Sequence, residues 1–325
     1  MILVTGGGGF LGYAIVQRLR SRGYPVRSFS RQHYPALDAL GTESMTGSLD
    51  DAAAVDRAVE GCDAVFHVAA KAGVWGTWDS YARTNIVGTQ NILASCRRHH
   101  VRDLIFTSSP SVTFAGVDQN GVDESEPYPI RYLTAYPATK AAAERLVLAA
   151  NGDTLRTVAL RPHLIWGPGD PHLIPRIVER AKQGRLRRIG TRPNLVDTTF
   201  VDNAVDAHLN AYDTLQTGTG GAGRAYFISN GEPLPVWDFI NAILARHALP
   251  PVVRTVPTGV AVAAGAVLEA VYRVLGRQSE PPMTRFVARQ LSTAHWFDLS
   301  AARRDLGYTP RVTIAEGMQR IGGDS

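Results

Sequence analysis

The chain has 325 residues, 45% hydrophobic and 19% charged, with a formal net charge of +5. That composition fits a soluble globular protein of one large domain or one and a half. Only Lys71, Lys140 and Lys182 are lysines among 34 basic residues, and no basic run interleaves with aromatics, so nucleic acid is not an expected partner.

The chain opens MILVTGGGGF, without the basic n-region of an export signal. Cys62 and Cys96 lack metal-ligand or redox spacing, so no metal is expected and a reducing cytoplasm is. The apolar runs 2–4, 26–29, 64–69, 104–108 and 157–162 predict strands. Amphipathic stretches at Leu11–Arg22, Ala52–Val59, Tyr81–Arg97 and Ala135–Ala149 predict the helices between them. Alternation of this kind predicts an α/β fold, a Rossmann-type doubly wound parallel sheet that binds ligands beyond the carboxyl ends of its strands. After residue 165 the rhythm breaks at the turn-rich WGPGDPH (166–172). The expected division is a nucleotide-binding domain over 1–165, with a return segment near 195–215, and a smaller mixed α/β substrate lobe over 166–325.

VTGGGGFLG (4–12) lies between the first strand and the first helix. Read as G-x-x-G-x-x-G, its glycines are Gly6, Gly9 and Gly12. They suit a dinucleotide whose pyrophosphate needs close backbone approach and the amides of a helix N-terminus. The second strand then ends in Ser30 and Arg31. A carboxylate at this point hydrogen-bonds the ribose 2′-OH of NAD and repels a 2′-phosphate. A hydroxyl followed by a guanidinium does the reverse, so the expected cofactor is NADP(H). Lys71, after the strand at 64–69, either approaches cofactor phosphates or caps its loop, and His67 is expected to be structural.

FTSSPSV (106–112) ends a strand on the ligand side. A serine there can donate to a carbonyl oxygen, and Ser108, Ser109 and Ser111 are all candidates. YPATK (136–140) sets Tyr136 and Lys140 four apart on one helical face. A phenol is a poor acid–base group at neutral pH unless a cation stabilises its phenolate, a role Lys140 can fill while reaching the nicotinamide ribose.

These motifs resemble the extended short-chain dehydrogenase/reductase superfamily from Met1 to about Gly317. TGGGGFLG is similar to its TGxxGxxG, TNIVGTQN (84–91) to its NxxGT, and YPATK to its YxxxK. RPHLIWGPGD (161–170) is similar to its RPxxxYGPGD, and TTFVDNAVDAHLNA (198–211) to its (Y/F)VDN segment. The resemblance implies Ser109, Tyr136 and Lys140 as catalytic residues with Asn85 in support. It also implies cofactor contacts from Phe10 and Leu11 in the glycine turn, from Ala69 and Ala70 beside Lys71, and from Pro162, His163 and Leu164 near the nicotinamide. Ser48 stands where members often place an aspartate near the adenine, and Leu49 is expected to pack on that ring. HVAAKAGVWGTWDSY (67–81), TSSPSV and EPPMTRFVARQLSTAHWFD (280–298) are similar to the 3β-hydroxysteroid dehydrogenase branch.

Within that branch the resemblance implies NADPH-dependent reduction of an apolar β-keto acid with two long alkyl chains, the chemistry of bacterial olefin biosynthesis. The rival expectations are a hydroxysteroid or sterol-carboxylate dehydrogenase, a nucleotide-sugar epimerase and a non-catalytic NADP sensor. The apolar stretch 258–276 is too interrupted, by Glu269 and Arg273, to span a membrane. It remains a candidate for tunnel lining, for peripheral membrane contact or for core packing. Arg161, Arg176 and Arg192 are candidates for meeting a substrate carboxylate. A homodimer or an enzyme assembly is the further expectation for partners.

Overall fold

The computed structural model describes residues 1–322. Seven parallel strands form the main sheet: β1 (Ile2–Thr5), β2 (Val26–Ser30), β3 (Glu43–Thr46), β4 (Ala64–His67), β5 (Asp103–Thr107), β6 (Arg156–Pro162) and β7 (Arg224–Ile228). Their order is β7-β6-β5-β4-β1-β2-β3, all neighbours parallel. The winding reverses between β1 and β4, which opens the ligand crevice at their carboxyl ends.

Alternate side chains of each strand serve opposite layers, as the pleat requires. Ile2, Val4, Phe66, Val158 and Leu160 face the layer holding helices Phe10–Ser21 and Val201–Thr217. Leu3, Val65, Leu104 and Ala159 face helices Ala52–Val59, Gly88–Arg98 and Ala135–Ala149. Both faces are thus covered, which is why these strands read as continuous apolar runs.

The return to the main sheet runs further than the expected 195–215. It includes helix Val201–Thr217 and then β7, which pairs with β6 from Arg224↔Val158 to Ile228↔Pro162. A single cut at residue 165 therefore leaves an outer strand of the nucleotide sheet on the wrong side. The smaller lobe has its own core around Trp166, Phe200, Trp237, Phe239 and Ile243. Its four-stranded sheet runs Leu234–Pro235, Leu195–Val196, His295–Phe297, Gln119–Val122.

Helix Thr258–Val274 buries only Ala261, Gly265 and Glu269. Its outward face carries Val260, Val267, Val271 and Val274, the last 87% exposed. One face of the helix thus meets the lobe core through Ala261 and Val262, while the opposite face lies open. The one acid on the helix points inward, where Arg285 pairs with it at 2.8 Å. Among the described residues no helix is long and apolar enough to cross a membrane.

A buried ion pair ties the catalytic-motif helix to the sheet. Arg161 of β6 donates to Glu144 through Nε (3.0 Å) and Nη2 (2.7 Å), and Tyr128 donates to the same carboxylate at 2.6 Å. Arg161 is 3% exposed and Glu144 0%, so neither is free to meet a substrate. Removing one partner strands the other charge in a low dielectric. Arg161→Met is expected to cost about 3–5 kcal/mol of stability, read as a lower denaturant midpoint, with Glu144→Leu/Arg161→Met recovering much of the loss. An unchanged midpoint in Arg161→Met would show that the pair carries no such weight.

Candidate active site

The glycine turn sits at the carboxyl end of β1. Gly6 has φ +72°, a left-handed conformation that favours glycine, and a Cβ on Gly12 would stand 2.1 Å from the Gly6 carbonyl oxygen. The cradle therefore exists only with glycine at both points. The ring of Tyr34 lies over Gly8, where an added Cβ would meet it at 2.1 Å. Phe10 begins the following helix and Leu11 is buried beneath it. This cradle, closed to any side chain and followed by a helix N-terminus, fits a dinucleotide pyrophosphate.

Ser30 closes β2 against that turn, its Oγ 3.5 Å from the Gly8 amide. Arg31 is exposed and forms no ion pair among the described residues. Ser48 donates to Asp50, and Leu49 is buried against Gly88, its backbone carbonyl held by Asn91 Nδ2 at 2.8 Å. Leu49 thus packs beneath a helix, and little of it is left open at the crevice.

Across the switch point, Ala69 crowds Gly6, and its amide donates to Thr5 Oγ1 at 3.0 Å. Ala70 is exposed and Lys71 half-buried. His67 is structural, as expected, but through side chains. Its Nδ1 meets Thr5 Oγ1 at 2.9 Å and its Nε2 meets Thr89 Oγ1 at 3.0 Å. Thr89 donates its own proton to the Asn85 carbonyl at 2.7 Å. The network therefore assigns the proton to Nε2, with Nδ1 accepting from Thr5. Burial, helped by the nearby Lys140 cation, drives the imidazole down to about 3, so it stays neutral.

Asn85 stands in a one-turn π-helix, Arg83–Val87, between helices Trp78–Ala82 and Gly88–Arg98. Such wide turns redirect a side chain out of the ordinary helical rows. Asn85 accepts from the Lys71 amide (2.8 Å) and donates to the Lys71 carbonyl (3.1 Å) and to Thr139 Oγ1 (3.0 Å). It joins the loop after β4 to the helix carrying Tyr136 and Lys140.

Ser108, Ser109 and Ser111, equal in the sequence, separate in the structure. Ser108 is turned inward, its Oγ buried without a hydrogen-bond partner among the described residues. Ser109 caps a 3-10 turn, Pro110–Val112, and shares a 2.9 Å hydrogen bond with Ser111 Oγ; the turn packs against the helix of Tyr136. Tyr136 is half-buried, and desolvation raises its phenol while the nearby Ser109 hydroxyl opposes that shift. This differs from the expectation that Lys140 would lower the phenol. The lysine shares the helical face, but its ammonium donates to the Thr107 carbonyl at 2.6 Å and lies 4.0 Å from the Phe106 ring centroid. Burial brings Lys140 down to about 7, and Glu144 pulls it partly back.

Pro162 ends β6, and His163 and Leu164 follow it out of the sheet. Leu164 has φ +44°, unusual for a branched residue. His163 is buried and meets His295 at 3.2 Å, which places it in a packed seam between sheet and lobe. Tyr81 is the residue that spacing did not single out. Its ring lies 6.4 Å from that of Tyr136 and under the Lys71 ammonium, and its hydroxyl donates to the Trp75 carbonyl at 3.0 Å. Only its place on the solvent-poor side of a short helix could have flagged it.

The Lys140 shift gives a stability prediction. Between about 7 and the ordinary 10.5 the unfolded chain binds a proton that the folded chain does not, so stability rises with pH across that window. Lys140→Met is expected to gain stability over the parent most at about pH 6 and progressively less by about pH 9. Paired denaturation curves test this, and a gap independent of pH would contradict it.

Comparison with known proteins places the chain in a family. A profile of the 3-beta hydroxysteroid dehydrogenase/isomerase family matches residues 3–254. The chain is 50% identical to the 2-alkyl-3-oxoalkanoate reductase of Stenotrophomonas maltophilia, covering 100% of this chain and 99% of that one. It is 35% identical to the decarboxylating sterol-4-alpha-carboxylate 3-dehydrogenase of Homo sapiens, covering 98% and 86%. Among solved structures it resembles MoeE5 in complex with UDP-glucose and NAD, with a TM-score of 0.74, 25% identity, and 98% and 96% coverage. The chain is an NAD(P)-dependent oxidoreductase of the short-chain dehydrogenase/reductase fold, and it belongs to the 3-beta hydroxysteroid dehydrogenase/isomerase family.

Proposed function

We propose that the protein is an NADPH-dependent ketoreductase that converts a bulky apolar 2-alkyl-3-oxo acid to the 3-hydroxy acid. The observation that carries this reading is that the helix of Tyr136 and Lys140 packs against the Pro110–Val112 turn that Ser109 caps, at the carboxyl edge of the sheet. Even when raised by burial, a phenol remains a stronger acid than the alcohol that forms, so Tyr136 can protonate the alkoxide produced by carbonyl reduction.

NADPH, when bound along the glycine turn, supplies the hydride. The residues that would hold it are Gly6, Gly9, Phe10, Leu11 and Gly12 at the pyrophosphate and Ser30 with Arg31 at the 2′-phosphate. Ser48, Leu49, Ala69 and Ala70, with the Pro162–Leu164 segment, would complete the cleft. Ser109 orients the substrate oxygen, and Tyr136 delivers its proton to the forming alkoxide. Lys140, whose ammonium is held at the Thr107 carbonyl, would bind the nicotinamide ribose hydroxyls rather than the phenolate left behind. Asn85 positions that helix relative to the loop after β4.

The relatives support this substrate class. One is named for a 2-alkyl-3-oxoalkanoate and another for a sterol 4-carboxylate altered at carbon 3. In both names the carboxylate stands one carbon away from the oxygenated carbon, and the intervening carbon is branched. The two substrates differ in skeleton and direction, so a sterol-carboxylate dehydrogenase is the second reading; the higher identity favours the alkanoate. Buried, unpaired Cys62 and Cys96 suit a reducing compartment, and a cytoplasmic setting belongs to the proposal.

Purified protein given NADPH or NADH and a 2-alkyl-3-oxoalkanoic acid is expected to oxidise NADPH preferentially. Tyr136→Phe should lower kcat by about 10²- to 10⁴-fold with little change in the KM for NADPH. A preference for NADH would refute the Ser30/Arg31 argument, and turnover of sterol carboxylates alone would transfer the assignment to the second reading.

A further inference from the structure

The proposed substrate brings a carboxylate to within two bonds of the reacting carbonyl carbon, and a cation must meet it. The arginines first considered are engaged: Arg161 by Glu144, Arg176 by Glu280, Arg192 by Asp118. Lys140 is enclosed against Phe106 and bonded to the Thr107 carbonyl. Lys71 differs from all of them. It is half-buried, forms no ion pair among the described residues, and holds its ammonium 5.1 Å from the Tyr81 ring centroid.

That ring is one aromatic contact from the reaction centre, tilted 59° against Tyr136. It is also fixed, because its hydroxyl is tied to Trp75, whose indole Nε1 donates to the Arg277 carbonyl of the smaller lobe at 3.1 Å. The Lys71 backbone is pinned at both its amide and its carbonyl by Asn85. A cation on a flexible stem, anchored at its base and resting on an aromatic face, can exchange that face for an incoming anion at small cost. Glu280 is the acid whose charge acts on Tyr81, and Arg176 grips it through both oxygens, so it does not compete for the lysine.

We propose that Lys71 binds the substrate carboxylate, so that the site selects acids whose carbonyl lies β to the carboxylate and presents that carbonyl to Tyr136. This inference rests on the reductase reading above, and it reassigns Lys71 from the cofactor phosphates to the substrate.

The test compares Lys71→Met and Lys71→Arg with the parent on two matched compounds, a 2-alkyl-3-oxoalkanoic acid and the ketone lacking its carboxyl group. The ratio of kcat/KM for acid over ketone should fall on the order of 10- to 100-fold in Lys71→Met, through KM, and be partly restored in Lys71→Arg. Calorimetric binding of the 3-hydroxy acid and of the corresponding alcohol to the NADP+-loaded enzyme should show the same loss, confined to the acid. Equal loss on both compounds, no loss, or a raised KM for NADPH would overturn the assignment. If the parent reduces neither compound, the reductase reading fails; the calorimetric comparison still decides whether Lys71 holds a carboxylate.

Discussion

The Asn85 side chain makes three hydrogen bonds with two pieces of chain that are remote in sequence, the Lys71 loop and the helix of Tyr136. Both ends of its amide are used, and the residue is 2% exposed. A buried amide cannot give up such partners without a desolvation penalty of about 1–3 kcal/mol for each group left unpaired. The crevice side and the proton-transfer side of the site therefore hold one register. The π-turn at Arg83–Val87 is the local irregularity that aims the amide inward. Behind it, Thr89, His67 and Thr5 extend the same chain of bonds to the Ala69 amide beside Gly6.

Burial dominates the electrostatics of the site. It keeps His67 neutral and raises Tyr136, while it lowers Lys140 toward neutrality. Glu144, one helical turn beyond Lys140, supplies a negative charge that partly offsets the burial of the lysine. Burying a lysine at this point costs stability.

Much of the architecture was legible because local pattern and tertiary fate agree. Helices Ala52–Val59 and Ala135–Ala149 begin and end where the amphipathic stretches do, and β1, β2, β4, β5 and β6 lie where apolar runs predicted strands. The strand Glu43–Thr46 escaped because ESMT is a short polar edge with little buried surface, and Arg224–Ile228 because its partner β6 lies far back in the chain. At the site, the glycine turn and the YxxxK spacing could be read directly. The choice among Ser108, Ser109 and Ser111 could not be read from the residues alone, since a 3-10 turn decides which hydroxyl faces Tyr136. Tyr81 was also hidden, because nothing in its neighbours along the chain announces Lys71 or Tyr136. The expected effect of Lys140 on the phenol failed for a similar reason: helical spacing gives a face, while desolvation and the Thr107 carbonyl decide where the ammonium goes.

Isotope transfer tests the central claim most directly. The parent enzyme would be supplied with NADPH deuterated at C4, each epimer in turn, and a 2-alkyl-3-oxoalkanoic acid. Mass spectrometry of the product would locate the label. The account predicts deuterium on C3 of the 3-hydroxy acid from one epimer only, with the hydroxyl proton drawn from solvent through Tyr136. A 3-hydroxy acid free of deuterium from both epimers, or consumption of the acid with no hydroxy product, would contradict it.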